Sequence, residues 1–502
     1  MTVADLLQGL SSAVPVTWHG PALAAVETPC PGIVADSRKV VPGAIFVAVK
    51  GQQTDGAAFA SEAVGQGVAA VVAQVPPSGT SPVPWLVVGD AHEALARLSC
   101  TIAGDPSHEL SVVGITGTNG KTTTSYLVHA IFEAAGVPCG ILGTVSYQIG
   151  ATVQPATHTT PEAPELQQLL RQMVEASCRA CVMEVSSHAL ALRRADFTRF
   201  AGAVFTNLTR DHLDFHADME SYFAAKRRLF EMLPADAPAA INADDPRGEA
   251  LVRVVGRPVT YALTRDADVR AENVASSLEG LRFDIRTRHG IVHVRSQLLG
   301  RPNVYNILAA VAVTSELGIP IEAIERGLAA LAGVPGRFEV VSTPADDVSV
   351  IVDYAHTDDA LRNLLETARP LAARRLITVC GAGGDRDKTK RPLMGMVAAR
   401  LSDVVVITSD NPRTEDPVRI MEEVRRGADA ETRQRHGQVL SVVDRREAIA
   451  KALRLAASGD LVLVAGKGHE RYQEIGGKRI PFDDVAVARE LLEARRRTFR
   501  AG

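Results

Sequence analysis

The sequence predicts an α/β protein of three domains, on three observations. At 502 residues the chain is too long for a single hydrophobic core. Short apolar runs that end in glycine-rich or polar loops alternate with segments of helical spacing, the pattern of parallel sheets covered by helices. A Gly-Asp-Pro-Ser linker at 104–107, and a fresh strand–helix alternation from about residue 334, divide the chain into 1–105, 106–333 and 334–502.

Composition excludes several classes. An apolar fraction of 46% with 22% charged residues is that of a soluble globular protein, and a formal charge of −4 supplies no field for nucleic acid or an anionic membrane. The start, MTVADLLQGL, lacks the basic and apolar regions of a signal peptide. The longest uncharged run, 67–89, is broken by Pro76, Pro77, Pro82 and Pro84, so no membrane insertion is expected. Six scattered cysteines argue for a reducing compartment, and Cys178 and Cys181 form a lone C-x-x-C read as structural. A cytoplasmic enzyme is expected.

In the first segment, Asp36, Ser37 and Arg38 follow a short strand, PGAIFVAV is a second strand, and residues 51–56 form a polar loop. Such a loop suits a polar ligand such as a nucleotide sugar, or is simply solvated. A helix is expected over 91–103.

The central segment opens on LSVVGITGTNGKTTTSYLVHAIFEAAG (110–136). An apolar strand, the turn Gly117-Thr118-Asn119-Gly120 and a helix starting at Lys121 aim backbone N–H groups and a positive dipole end at one point. That point suits a nucleoside triphosphate, with Lys121 on the outer phosphates and the Thr122 hydroxyl on Mg²⁺. Ile115 stands where the full G-x-x-x-x-G-K-[ST] pattern has its first glycine. A central P-loop-type parallel sheet follows.

Glu184 in CVMEVSSHALALRR ends a strand, where ligands gather in a parallel sheet; it suits Mg²⁺ or a helix N-terminus. His212, Asp214 and His216 crowd the next loop. Lys226 lies in a helical pattern and is either a snorkelling surface lysine or one facing a metal site. Residues 259–299 alternate polar and apolar, predicting an antiparallel excursion with Arg282, Asp284, Arg286 and Arg288 on its wet face. Asn306 begins an alanine-rich helix, as an adenine contact or a cap.

The last segment carries VSVIVDYAH, RLITVCGAGGDRD, DVVVITSDNPR and DLVLVAGKGHE, predicting a Rossmann-like parallel sheet. Gly381, Gly383 and Gly384 are misplaced for a dinucleotide fingerprint, so NAD is not expected. Arg386, Asp410, Arg413 and Glu470 fall at strand ends and suit a zwitterionic ligand or an internal salt-bridge network.

Taken in order, GTNGKTT, TTP, EVSSH, NLTRDHLDFH, AAKRRLF, GRFE, VDYAH, GDRDKTKRP, DNPR and GKGHE resemble the motifs of the Mur ligases, ATP-dependent amide-forming enzymes of peptidoglycan synthesis. DNPR marks the branch that adds meso-diaminopimelate to UDP-N-acetylmuramoyl-L-alanyl-D-glutamate. The resemblance implies a UDP-sugar domain, an ATP domain and an amino-acid domain in that order. It places Ser37, Gln52, Gln53 and Thr54 on the UDP-sugar, and Thr159, Thr160, Ser186 and Arg194 on its peptide arm. It implies Gly117, Thr118, Asn119, Gly120, Lys121, Thr122 and Thr123 on the ATP phosphates, and Asn306, Arg337 and Asp353 on the nucleotide. Thr122, Glu184, His212 and a carbamylated Lys226, formed with CO₂, would hold Mg²⁺. Lys121, Glu184, His212 and Lys226 would carry the chemistry. Arg386, Asp410, Asn411, Pro412, Arg413, Gly466 and Glu470 would bind diaminopimelate.

His158, Leu192 and Asp358 depart from the family's Asn, Gln and Pro. Alternatives are a lysine-adding relative, a folylpolyglutamate synthetase sharing the ATP core, and a nucleotide-switched binding protein. The DSR segment argues against the folate enzyme and DNPR against lysine. A monomer with small-molecule substrates only is expected.

Overall fold

The computed structural model describes residues 1–21, 27–51, 54–277, 279–432 and 437–501. Gln52 and Gln53 lie outside the described residues. Three large sheets follow one another along the chain, each covered by helices, and among the described residues no helix is long and apolar enough to cross a membrane.

The first sheet has five strands, in the spatial order Val16–His19, Trp85–Val88, Ala70–Ala73, Ile45–Val47, Ile33–Val34, and only Val16–His19 is antiparallel. Helix Val3–Ala13 buries Val3, Leu6, Leu7 and Leu10 against it, the spacing of one apolar stripe. Its start is fixed by a capping box between Thr2 and Asp5. Helix Ala91–Ile102 is capped by Asp90, whose carboxylate accepts from the His92 and Glu93 N–H groups.

The second sheet has eleven strands. Its middle is parallel: Val269–Ser277, Arg257–Ala262, Pro238–Asn242, Phe200–Phe205, Ser111–Thr116, Ala180–Glu184 and Cys139–Leu142. Antiparallel strands extend both edges. The expected excursion therefore starts later than residue 259: Arg257–Ala262 pairs parallel with its neighbour, and the first antiparallel pair is Val269–Ser277 with Gly280–Thr287. In that strand Leu281, Phe283 and Ile285 are buried, whereas Arg282 and Arg286 are exposed. Helix Lys121–Ala134 packs Leu127, Val128, Ile131 and Phe132 into the core beside helix Arg301–Glu316, whose alanines are buried nearly all round. Cys178 and Cys181 are buried free thiols, and burial raises the Cys181 pKa far above the usual range.

The third sheet has six strands in the order Glu339–Val340, Ser349–Asp353, Leu461–Ala465, Leu376–Cys380, Val404–Ile407, Gln438–Ser441. All but the first are parallel, and Leu461–Ala465, late in sequence, is inserted in the middle. The four expected apolar runs are strands of this sheet, and Gln438–Ser441 is a fifth parallel strand that the sequence reading did not single out. Their polar loops all emerge at the C-terminal edge.

Candidate active site between the three sheets

The phosphate-loop candidate joins strand Ser111–Thr116 to helix Lys121–Ala134. Gly117 and Gly120 have φ of 147° and 88°, and a Cβ would strike Thr206 Oγ1 at the first and Asn306 Oδ1 at the second. Glycine is required at both. The turn is held by strand-end partners: Thr118 N–H donates to the Asn207 carbonyl at 2.8 Å, and Asn119 N–H to Asn207 Oδ1 at 2.9 Å. The first N–H groups of the helix have no intrahelical partner, and Lys121, Thr122 and Thr123 line the cavity.

Lys121 Nζ donates to the Gly117 and Thr118 carbonyls, both at 2.9 Å. Burial lowers its pKa, with Glu184 and Asp211 opposing. Lys226 is 1% exposed and does not snorkel: its Nζ donates to the Gly117 carbonyl at 2.7 Å and lies 4.5 Å from the Tyr222 ring centroid. Burial and the nearby Lys121 ammonium push its pKa well below the usual lysine range.

Glu184 is buried at its strand end and caps no helix; the following helix, Ser187–Ala191, is capped by Ser186. The carboxylate accepts from the Thr122 hydroxyl at 3.0 Å, the Thr144 hydroxyl at 3.0 Å and the Thr144 N–H at 2.8 Å. Arg337, from the third sheet's unit, donates to Thr122 Oγ1 at 3.0 Å and stacks 4.5 Å from Tyr354. Thr122 and Glu184 thus set a hydroxyl and a carboxylate oxygen beside the phosphate loop, a hard-oxygen set that fits Mg²⁺.

His212 is in left-handed backbone (φ 55°), its Nε2 is 3.4 Å from Asp211, and its ring stacks edge-on to His188 at 4.8 Å. Burial lowers its pKa and holds the imidazole neutral, the form that can ligate a metal. His216 hydrogen-bonds Ser187 at 3.0 Å. Among the described residues no three His, Cys, Asp or Glu side chains converge as a metal cluster. The expected set contributes only Glu184 and His212 of those types.

On the peptide-arm side, Thr160 Oγ1 donates to the Glu184 carbonyl at 2.8 Å and accepts the Ser186 N–H at 3.0 Å. Thr159 Oγ1 is 3.1 Å from Thr144 Oγ1. Arg194 donates to the Thr160 carbonyl at 3.2 Å and pairs with Glu162 at 2.5 Å. Asn306 is buried inside its helix with its amide on Asn303 at 2.9 Å; the helix is capped by Gly300, so neither Asn caps it. Asp353 accepts the Phe338 and Ala355 N–H groups at 2.6 and 2.7 Å, and burial raises its pKa.

One cavity of about 2260 Å³ is lined by the phosphate loop, Glu184, His212 and the peptide-arm side chains, but not by Lys226 or His216, and draws wall residues from all three sheets' units. Asp36, Lys39, Lys50 and Gly51 line it at the N-terminal end. Ser37 is buried at the start of a short 3-10 turn behind that wall, and Thr54 is exposed outside it. Arg386 lines the same cavity. The remaining amino-acid candidates gather around Lys467, which donates to Asn411 Oδ1 and Glu470 Oε2, both at 2.9 Å. Asp410 is buried beneath Gly466, where a Cβ would strike its Oδ2. Burial raises its pKa, but Lys467 and Arg445 outweigh this and hold it below the usual range. Pro412 leads into Arg413, which has φ 53° and is not an unpaired buried charge: it is 21% exposed, donates to the Gly384 carbonyl at 2.7 Å and lies 3.6 Å from Glu474.

Sequence reasoning missed Thr144, Asp211, Asp359 (which accepts from Asn119 at 3.0 Å), Lys467 and His469. Lys467 carried a signal, a lysine inside GKGHE in a chain whose basic residues are mostly arginine. Thr144 carried none.

Known proteins give the same arrangement a family. The Mur ligase family catalytic domain model matches residues 30–101, the Mur ligase middle domain model 115–314, and the Mur ligase glutamate ligase domain model 336–468. A Geobacter sulfurreducens protein named UDP-N-acetylmuramoyl-L-alanyl-D-glutamate–2,6-diaminopimelate ligase is 48% identical over 90% of this chain and 92% of its own. One of the same name from Solibacter usitatus is 46% identical over 98% of each chain. A solved structure under that name superposes with a TM-score of 0.65 and 35% identity, over 93% of this chain and 96% of that one. Near full-length identity of this size, on a shared three-domain α/β fold, leads to one conclusion: the chain belongs to the Mur ligase family.

Proposed function

We propose that this chain is an ATP-dependent ligase that adds meso-diaminopimelate to the D-glutamyl carboxylate of UDP-N-acetylmuramoyl-L-alanyl-D-glutamate, giving ADP and phosphate in the cytoplasm. The observation that carries this reading is the junction at Thr122. There the phosphate-loop hydroxyl meets Glu184 of its own sheet and Arg337 of the third sheet's unit, inside the cavity that also reaches the first.

The roles follow from chemistry. A carboxylate is a poor acyl donor, so its oxygen attacks the γ-phosphorus of ATP, ADP leaves, and an acyl phosphate forms. The loop Gly117 to Thr123 cradles the phosphates with the free N–H groups at its helix start, and Lys121 turns from the loop carbonyls to the transferring group. Mg²⁺, held by Thr122 and Glu184, supplies neutralisation of triphosphate charge when bound. The free-base amine of diaminopimelate then attacks the carbonyl; a tetrahedral intermediate collapses to amide and inorganic phosphate, and the ammonium proton passes to solvent. Thr159, Thr160, Ser186 and Arg194 hold the peptide arm, and Ser37, Gln52, Gln53 and Thr54 take the UDP-sugar. Asn306, Arg337 and Asp353 meet the nucleotide. Arg386, residues 410–413, Gly466 and Glu470 bind diaminopimelate.

Lys226 is proposed to act as a carbamate: its depressed pKa favours the neutral amine, whose nitrogen adds CO₂ and releases a proton. That anion, with neutral His212, would complete a second cation position. Domain bounds of 1–105, 106–333 and 334–502, and a monomer, complete the proposal.

Phosphate release is measured with ATP, Mg²⁺ and the UDP-linked dipeptide, comparing meso-diaminopimelate with L-lysine. Release with diaminopimelate, and a product heavier by one such residue, is expected. Release with lysine alone overturns the specificity, and release with neither overturns the reaction.

A further inference from the structure

We propose that Thr144 is a positioning residue for the Glu184 carboxylate, and that its hydroxyl links that carboxylate to Thr159 on the peptide-arm side of the cavity. The inference rests on the ligase reading above. Strand Cys139–Leu142 runs parallel to Ala180–Glu184 with Leu142 opposite Met183, so the next residues, Gly143 and Thr144, come alongside Glu184. A Cβ at residue 143 would strike Glu184 Oε1; glycine lets the backbone approach. Thr144 then grips both oxygens, its N–H on Oε1 at 2.8 Å and its hydroxyl on Oε2 at 3.0 Å. Such a two-point hold fixes the carboxylate plane, which a single hydrogen bond leaves free to turn.

Hydrogen counting orients the rest. A carboxylate only accepts, and a hydroxyl has one hydrogen, so the Thr144 hydrogen is committed to Glu184. The 3.1 Å contact with Thr159 must then carry the Thr159 hydrogen inward. The same rule applies at Thr122: its hydrogen goes to Glu184 at 3.0 Å and its oxygen accepts from Arg337 at 3.0 Å. Donors thus converge from both sides on one carboxylate. His469 lies against the Thr144 backbone from the third sheet's unit, so the same threonine also receives that unit's loop. An oxygen of the peptide arm that takes the Thr159 hydrogen releases Thr144 as an acceptor, so arm occupancy is felt at Glu184.

The test compares the full chain with Thr144→Val and Thr144→Ser, using Mn²⁺ as the probe with ADP and reading bound metal by electron paramagnetic resonance. Valine keeps the shape and the N–H but removes the hydroxyl. Expected are a loss of Mn²⁺ affinity of about tenfold or more in the valine variant, restoration by serine, and thermal midpoints of the ligand-free proteins that stay together. In turnover, the apparent Mg²⁺ constant rises in the valine variant while kcat at saturating Mg²⁺ changes much less. Wild-type Mn²⁺ affinity in the valine variant overturns the inference, as does a serine variant as weak as valine. A wild-type chain that binds no Mn²⁺ with ADP overturns the ligase reading, and this inference with it.

Discussion

Lys121 and Lys226 donate to the same acceptor, the Gly117 carbonyl, at 2.9 and 2.7 Å. Two ammonium groups on one carbonyl repel each other, and burial penalises both charges, so the arrangement favours a neutral lysine. Lys226 is the one with the deeper depression, and it alone is expected to capture CO₂. With ¹³C-bicarbonate the protein is expected to give a carbamate carbon resonance that Lys226→Ala abolishes. A resonance that survives the substitution places the carbamate elsewhere.

Lys121→Ala removes the charge proposed to face the transferring phosphoryl group, and with it two hydrogen bonds to the loop carbonyls. Single-turnover acyl phosphate formation is expected to fall by about a hundredfold or more, from the typical value of one pre-organised electrostatic group. A drop of only a few-fold would remove Lys121 from the transferring step.

Arg413 is the residue proposed to read the distal carboxylate that separates diaminopimelate from lysine. Its guanidinium already has the Gly384 carbonyl and Glu474 as partners, so removing the ligand carboxylate does not leave it bare. The discrimination therefore belongs at the low end of the usual 1–3 kcal/mol, or about tenfold. Arg413→Ala is expected to raise the KM for diaminopimelate by about that factor while the KM for ATP stays put. Unchanged diaminopimelate kinetics would exclude the assignment.

Arg445 and Asp484 form a fully buried ion pair at 2.7 Å, and the same guanidinium donates to the Ala465 carbonyl at 3.0 Å. Asp484→Ala leaves that cation with only the Asp410 carboxylate, 3.9 Å away, at a cost toward the low end of about 3–5 kcal/mol. Both tryptophans lie in the first sheet's unit, so their fluorescence does not report on this region. Hydrogen exchange does: strand Leu461–Ala465 is expected to lose most of its protection while Ser111–Thr116 keeps its own.

His469 is half-buried against Tyr354, with Arg337, His356 and Lys467 as its charged or titratable neighbours. Burial first, and then the Arg337 charge, lower its pKa to about 3. The unfolded chain therefore binds this proton near the ordinary histidine value while the folded chain does not. Its contribution is full above about pH 6.5 and is lost as the pH falls toward 3. His469→Gln is expected to flatten the fall of the urea midpoint between pH 6.5 and 4, and a slope unchanged from wild type would count against it.

Much of this was legible because the signal was local. The strand, glycine turn and helix around Lys121 need only neighbours in sequence, and the four apolar runs after residue 334 announce a parallel sheet by pattern alone. Glu184 could be placed at a strand end, but its hold could not be foreseen, because Thr144 meets it across 40 residues through a strand pairing. Lys226 shows the same limit: helical spacing put it beside aromatic residues, yet only the folded chain shows it buried on Gly117. For Arg413 the sequence left ligand binding and an internal salt bridge both open, and its neighbour Glu474 could not be named, because it lies in a later hairpin whose return to the loop at 413 has no periodic signature.

The late strand Leu461–Ala465 sits between Ser349–Asp353 and Leu376–Cys380, which precede it by most of a domain. During synthesis those two strands leave the ribosome long before the one that separates them, and they cannot pair directly in their native places. The third unit must therefore wait with a gap at its centre until translation has passed residue 465, whereas the phosphate loop and Glu184 can already be in place. A nascent chain stalled before that point would hold the phosphate loop and Glu184 without a folded third unit to set Arg337 on Thr122, and its open central edges would be the surface that a chaperone meets.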